Sequence, residues 1–209
     1  VASLMHTHLE RVTSQKEWGG RRMQGRYESG HAQILKHLKK GATLERASQF
    51  TKDAHKLGLV IHGDFILGLP GETRETIKNT IAFAKELDVE TIQVSVAPAY
   101  PGTELYDFAV TNNFLVKGSM VDEGGHQLAH IEYPGLPADE VLHSVHAFYD
   151  EYYFRPKAAS RLVSKAIVNR AVTRRYVEAN KFMKLRTARH IVVYAVKISS
   201  SNPHRPDVN

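Results

Sequence analysis

The chain of 209 residues is long enough to bury a sizeable core, and its 42% hydrophobic and 24% charged residues are those of an ordinary globular protein. The absence of cysteine excludes disulfides, thiolate metal ligands and a cysteine nucleophile, and no run approaches the roughly 18 apolar residues that would span a bilayer. The net charge of +6 is uneven: eleven of the 28 Lys/Arg but only one of the 22 Asp/Glu fall between Arg155 and His190, so that segment carries +10 and the remainder −4.

Taken in chain order, VASLMHTHLERVTSQKEW has neither a signal-peptide apolar region nor an initiator Met, and reads as part of a longer chain. Residues 19–26, GGRRMQGR, place two adjacent arginines and three glycines where a buried strand would lead into Tyr27-Glu28-Ser29-Gly30, and they are expected to make a poor one. Helical spacing follows over 31–57 (Ile34, Leu35 and Leu38, a break at Gly41, then Leu44, Ala47, Phe50, Ala54 and Leu57), ending at Gly58. Leu59–Leu67 reads as a strand too continuously apolar for a sheet with one wet face. Thr73 is a candidate N-cap for an amphipathic helix to about Leu87, with Ile77, Ile81, Ala84 and Leu87 on one stripe. Thr91–Ala97 is a second strand, and Glu104 to about Val110 a short helix.

This alternation predicts an α/β fold with a parallel sheet and right-handed crossovers. Phe114–Leu136 reads as a connecting loop and Pro137–Phe154 as a helix that Arg155-Pro156 breaks. A basic helical stretch to about His190, an apolar IVVYAV and a polar tail complete the chain. The expected organisation is an α/β body over 1–115, a connection over 116–136 and a helical, basic extension over 137–209.

Three short corners carry the candidate chemistry: Tyr27-Glu28-Ser29-Gly30, Gly68-Leu69-Pro70-Gly71-Glu72-Thr73 and Pro98-Ala99-Tyr100-Pro101-Gly102-Thr103. In parallel βα units all three fall at the carboxyl ends of adjacent strands, on the rim where α/β sheets bind ligands. Gly68 and Gly71 can take positive φ and leave no Cβ in the way of a flat ligand, and Pro70 stiffens the turn. Glu28 and Glu72 can accept hydrogen bonds from an amine or ribose hydroxyls; the plainer reading of each is an acid at a helix N-terminus. A single glycine–proline turn is ordinary βα punctuation. No Gly-Lys-Ser/Thr follows, so it is not a phosphate-binding P-loop.

The order YESG, Lys40-Gly41, FILGLPGET, TIQVSVAPAYPGTELY, with DEGGHQLAHIEYPGL and FYDEYYFRP beyond, resembles the second half of a radical S-adenosylmethionine (SAM) barrel. The resemblance is to the branch carrying an N-terminal cobalamin-binding domain, and within it to the radical SAM protein associated with hopanoid biosynthesis. It implies the C-terminal half of a (β/α) barrel followed by a helical extension. It also implies a parent enzyme that forms a 5′-deoxyadenosyl radical to modify the head group of a hopanoid-type lipid. SAM would be the cofactor, with Ile66, Gly68, Gly71 and Glu72 beside its adenosine, Glu28 and Ser29 near its ribose and methionine, and Pro98, Tyr100 and Gly102 bordering the adenine. The family holds its [4Fe–4S] cluster with Cys-x3-Cys-x2-Cys; this chain has no cysteine, so the cluster, and any cobalamin, belong to the intact parent, and the chain alone is expected to be inactive. The implied location is cytoplasmic, peripheral to the inner membrane.

His126 and His130, and His143 and His146, have spacings that raise metal binding, but no HExxH pattern exists and surface histidines are the expectation. In the 155–190 segment an irregular apolar stripe opposes a basic face. The plain reading is a packed helix with a solvated face; the sharper one is peripheral contact with anionic lipid, and nucleic acid is not an expected partner. Two rival readings are a non-catalytic remnant and a basic-tailed membrane or nucleic-acid module on an α/β scaffold.

Overall fold

The computed structural model describes residues 22–39, 41–116, 118, 121, 123, 127–158, 160 and 161. They divide between two compact units, Val1–Tyr149 and Asp150–Asn209. In the first, strands β1 (Arg22–Glu28), β2 (Val60–Leu67) and β3 (Thr91–Val96) form one parallel sheet in the order β1-β2-β3. Helices α1 (Ala32–His37) and α2 (Leu44–Lys56) connect β1 to β2, and α3 (Arg74–Leu87) connects β2 to β3. Helix α4 (Glu104–Thr111) follows β3, and α5 is Ala138–Tyr153. The expected βα alternation is therefore present.

Residues 22–26 correct the expectation of a broken strand. β1 alternates, with Arg22, Gln24 and Arg26 on one face and Met23, Gly25 and Tyr27 buried on the other. The arginines are tolerated because their face is open. The glycine has a steric reason: a Cβ on Gly25 would lie 2.6 Å from the Tyr27 ring, and one on its register partner Gly63 3.2 Å from the same ring. Tyr27 thus lies back over two paired glycines. Its ring stacks on Phe65 with centroids 5.5 Å apart, and Phe65 meets Phe148 of α5 at 5.2 Å. The Tyr27 hydroxyl donates to Thr51 of α2 at 2.7 Å, since Thr51 spends its own proton on Ala47 O. Burial pushes the Tyr27 phenol up to about 12.

β2 is also less uniform than its apolar run suggested. Ile61, Phe65 and Leu67 are buried with Gly63, whereas Val60, His62, Asp64 and Ile66 are half-buried on the other face. Register joins the half-buried positions into rows, Gln24–His62–Thr91, Arg26–Asp64–Gln93 and Ile66–Ser95. Side chains bond along and across them, Gln24 Nε2 to Asp64 at 2.6 Å and His62 with Thr91 at 2.7 Å, and the His62 Nε2 atom lies 3.4 Å from Asp64 Oδ1 without a hydrogen bond. One face of the sheet is a helix-packed core and the other a polar lane, with Ile66 its apolar member nearest the rim.

The outer edge of β3 is closed by side chains. Gln127 donates to Val96 O at 2.6 Å and accepts from Val96 N at 3.3 Å, and the Tyr149 hydroxyl accepts from Val94 N at 2.8 Å. The segment expected to be a loop carries short antiparallel bridges, Leu115–Ile131, Val121–Gln127 and Tyr133–Leu136. In the second unit, Arg155 lies over the Tyr152 ring at 4.3 Å and donates to Tyr152 O. Most of the basic 155–190 segment and all of IVVYAV lie outside the described residues. No described helix is long and apolar enough to cross a membrane.

Candidate functional site at the carboxyl rim

β1 ends in a bulge between Arg26 and Glu28, where Glu28 takes φ 63° while only 3% exposed. A left-handed, buried, non-glycine residue is costly, and such residues concentrate at functional corners. Its carboxylate lies 3.5 Å from the Arg26 guanidinium. Gly30 is pressed onto α3: a Cβ there would fall 2.6 Å from Thr80 Cα. The buried corner is wired by hydroxyls. His31 N–H donates to Ser29 Oγ at 3.2 Å, Ser29 Oγ meets Thr80 Oγ1 at 3.3 Å, and Gly30 N–H donates to the same Thr80 oxygen at 3.0 Å. Thr80 spends its proton on Thr76 O.

The second corner continues this network. Thr76 Oγ1 bonds to Glu72 Oε1 at 2.5 Å, and Glu72 Oε2 accepts from Gly68 N–H at 3.2 Å. Gly68 and Gly71 take φ 80° and 85°, conformations that a side chain would strain. Tyr133 Oη donates to the buried Gly68 carbonyl at 2.9 Å. Burial raises the Glu72 carboxyl above its ordinary range, partly offset by hydrogen bonds from Thr76 and the Leu69–Gly68 backbone. Burial likewise raises the Tyr133 phenol, with Glu72 adding to it. Thr73 caps α3 through a reciprocal pair with Thr76.

In the third corner Gly102 takes φ 83°, and Thr103 caps α4 by accepting from Tyr106 N–H. Pro98 is half-buried and Tyr100 is 54% exposed. Convergence comes from a small apolar cluster: Ile34 behind the first corner, Leu69 in the second and Ala97 at the third, with Leu38, Ile66 and Leu105 packed against them. The Ala97 N–H to Leu67 O bond, 2.8 Å, carries the ladder to the rim.

The structure therefore brings Glu28, Ser29, Ile66, Gly68, Gly71, Glu72, Pro98 and Gly102 to one rim, with Tyr100 projecting at its border. Ser29 and Glu72 spend their oxygens inside the network and act as braces. Sequence reasoning missed Thr76, Thr80, Tyr133 and His31; Thr73-x2-Thr76-x3-Thr80 on one face of α3 was the available signal. Among the described residues two buried side-chain atoms have no hydrogen-bond partner, His31 Nδ1 at this rim and Asp64 Oδ1 on the polar lane. No group of three or more metal-ligating side chains occurs among the described residues. His130 is buried rather than at the surface, His143 and His146 are exposed, and His126 lies outside the described residues.

The fold has a counterpart among solved structures. It is alike to coproporphyrinogen III oxidase (HemN) from Escherichia coli, a radical SAM enzyme, with a TM-score of 0.51 at 14% identity over 76% of this chain and 36% of that one. The described residues thus have the mixed α/β, parallel-sheet fold of part of a radical SAM enzyme. By sequence the chain is 34% identical over 163 residues to an uncharacterized methyltransferase of Pyrococcus horikoshii, covering 75% of this chain and 34% of the relative. It is 31% identical over 116 residues to cytidylyl-2-hydroxyethylphosphonate methyltransferase of Streptomyces wedmorensis, covering 52% and 22%. The chain spans about a third of the first relative's length and about a fifth of the second's. No family model matches it.

The rim fits SAM. Gly71 and Gly102 leave backbone open to a flat ring, with nothing within 4 Å of a Cβ on Gly102 and only His37 that near one on Gly71, whereas Gly68 is packed, a Cβ there lying 3.4 Å from Val141. An iron–sulfur cluster does not fit these residues, which include no thiolate.

Proposed function

We propose that the chain is the SAM-binding wall of a radical SAM enzyme, with the cluster supplied by residues other than these. The observation that carries the reading is the convergence of three glycine-containing strand ends on one apolar cluster, two of them locked together by the Thr76–Thr80 hydroxyl network. SAM, when bound beside a reduced cluster, supplies the radical chemistry. This chain's share is to seat adenosine against Ile66 and the open backbone of Gly71 and Gly102, beside the buried Gly68 turn, with Glu28 toward the ribose and methionine end. Glu72 and Tyr133 hold the Gly68 turn.

The finer reading of the parent's substrate is a hopanoid-type lipid head group; the run of motifs from YESG to FYDEYYFRP supports it, and cobalamin in the parent follows from the same resemblance. A second reading, methyl transfer, is favoured by the names of the two relatives matched by sequence. Peripheral membrane contact through 155–190 stays with the first reading, resting on that segment's charge.

Equilibrium dialysis of the full chain against SAM tests the shared core. Saturable binding, lost on Gly68→Val, is expected; equal retention of SAM by wild type and variant would overturn it. For the parent, release of 5′-deoxyadenosine together with a ring-rearranged lipid head group would support lipid modification, and a methylated product the second reading.

A further inference from the structure

We propose that the polar lane of the sheet is a second binding surface, which takes a hydroxyl-rich group, a polyol or sugar ring, through His62 Nε2, the Gln93 amide and the Ser95 hydroxyl. As the substrate site of the enzyme it rests on the reading of the rim as an SAM wall; as a binding surface it stands alone.

Parallel sheets are ordinarily dry on both faces. Here the face opposite the helix-packed core keeps His62, Asp64 and Ser95 half-buried and Gln24 and Gln93 exposed. Part of the lane is braced from within, Gln24 donating to Asp64 and the Thr91 hydroxyl holding His62 Nδ1. The bracing leaves three groups over. The His62 side chain is 39% exposed and its Nε2 makes no hydrogen bond. Among the described residues only His31 Nδ1 and Asp64 Oδ1 are both buried and unpaired, so this nitrogen is open to a ligand. Neither Gln93 nor Ser95 has a side-chain hydrogen bond among the described residues, and neither is buried.

Register sets the three in successive rows, with His62 beside Thr91, Gln93 beside Asp64 and Ser95 beside Ile66. Rows lie about 6.6 Å apart and strands about 4.8 Å, the scale of a sugar ring and its hydroxyls. An imidazole nitrogen, a carboxamide and a hydroxyl can each give or take a hydrogen bond, as ligand hydroxyls do. The Asp64 carboxylate in the middle row opposes a phosphate, and Arg26 of that row already lies 3.5 Å from Glu28. An apolar ligand would strip water from the free polar groups without replacing it. Ile66 packs against the apolar cluster of the rim, so the lane opens onto the three corners.

The test is titration of the ¹⁵N-labelled full chain with ribitol and with methyl β-D-glucoside, an open-chain and a ring polyol. With at least one of them, the Gln93 side-chain amide and the His62 ring nitrogens should move together, saturating with a single millimolar Kd, while the Gly71 and Gly102 amides stay in place. Gln93→Leu, at an exposed position, should weaken that binding about threefold to tenfold at unchanged Tm. Tighter binding of monomeric octyl β-D-glucoside at the same signals assigns the group to a lipid head; equal binding assigns a free polyol. Inorganic phosphate moving these signals in place of the polyols, or no movement with either polyol up to about 100 mM, overturns the proposal and leaves the SAM wall standing if SAM binds. Polyol binding by a chain that does not bind SAM leaves the lane standing and overturns the SAM wall.

Discussion

Thr80 accepts the Gly30 amide proton at 3.0 Å, across fifty residues of sequence, and so fixes the end of β1 to the middle of α3. The Thr80 hydroxyl is fully used, accepting from Gly30, facing Ser29 and donating to Thr76 O. Thr80→Val keeps the shape and removes the acceptor, leaving a buried N–H unpaired. A loss of about 1–3 kcal/mol is expected by urea denaturation, against a smaller loss for Thr80→Ser. Equal losses would show that volume, not the hydroxyl, holds the corner.

Gly25 exists because Tyr27 lies over it. Gly25→Ala places a methyl 2.6 Å from the ring, and the ring cannot retreat because Phe65 stacks behind it. Overpacking of this kind costs about 1–3 kcal/mol. The double variant Gly25→Ala with Tyr27→Leu should cost less than the sum of the two single changes; strict additivity would deny the contact.

At Glu28 conformation and chemistry can be separated. A left-handed non-glycine residue costs roughly 1–2 kcal/mol, which glycine escapes at an entropic cost of about 0.5–1 kcal/mol. Glu28→Gly should therefore match or exceed Glu28→Ala in thermal stability, while both lose SAM affinity. An alanine variant that is the more stable and still binds SAM would remove Glu28 from the site.

The buried Glu72 carboxyl titrates above its unfolded value near 4.5. Its folded form holds the proton more tightly than its unfolded form, so this group favours folding most below about pH 4.5 and does so less as pH climbs through its raised folded pKa. Glu72→Gln cannot ionise. The stability of Glu72→Gln relative to wild type should rise with pH across that window, read from denaturation midpoints between pH 4 and 8. A flat difference would mean that the hydrogen bonds from Thr76 and Gly68 fully offset burial.

Much of the architecture was legible because periodicity and punctuation agreed: the apolar stripe Ile77, Ile81, Ala84 and Leu87, the cap at Thr73, and Gly68 and Gly71 at positive φ. The three rim corners followed from βα order alone. What misled was the assumption that each strand is buried on both faces. Arg22 and Arg26 argued against β1, and the apolar run to Leu67 argued for a dry β2, yet both strands have one polar, half-open face. Gly25 looked like a weak point because the aromatic that covers it is two residues on. The hydroxyl network was illegible for a different reason: Thr80 is an ordinary amphipathic-helix residue until the fold brings Gly30 against it.

The central claim, one SAM-binding wall built from three corners, is tested most directly by the glycine amides. In ¹H–¹⁵N spectra of the full chain, SAM should shift Gly30, Gly68, Gly71 and Gly102 with a single Kd. Gly58 and Gly135, which share positive φ but lie away from the corners, should stay in place. Movement confined to one corner, or spread equally over Gly58 and Gly135, would contradict a common wall.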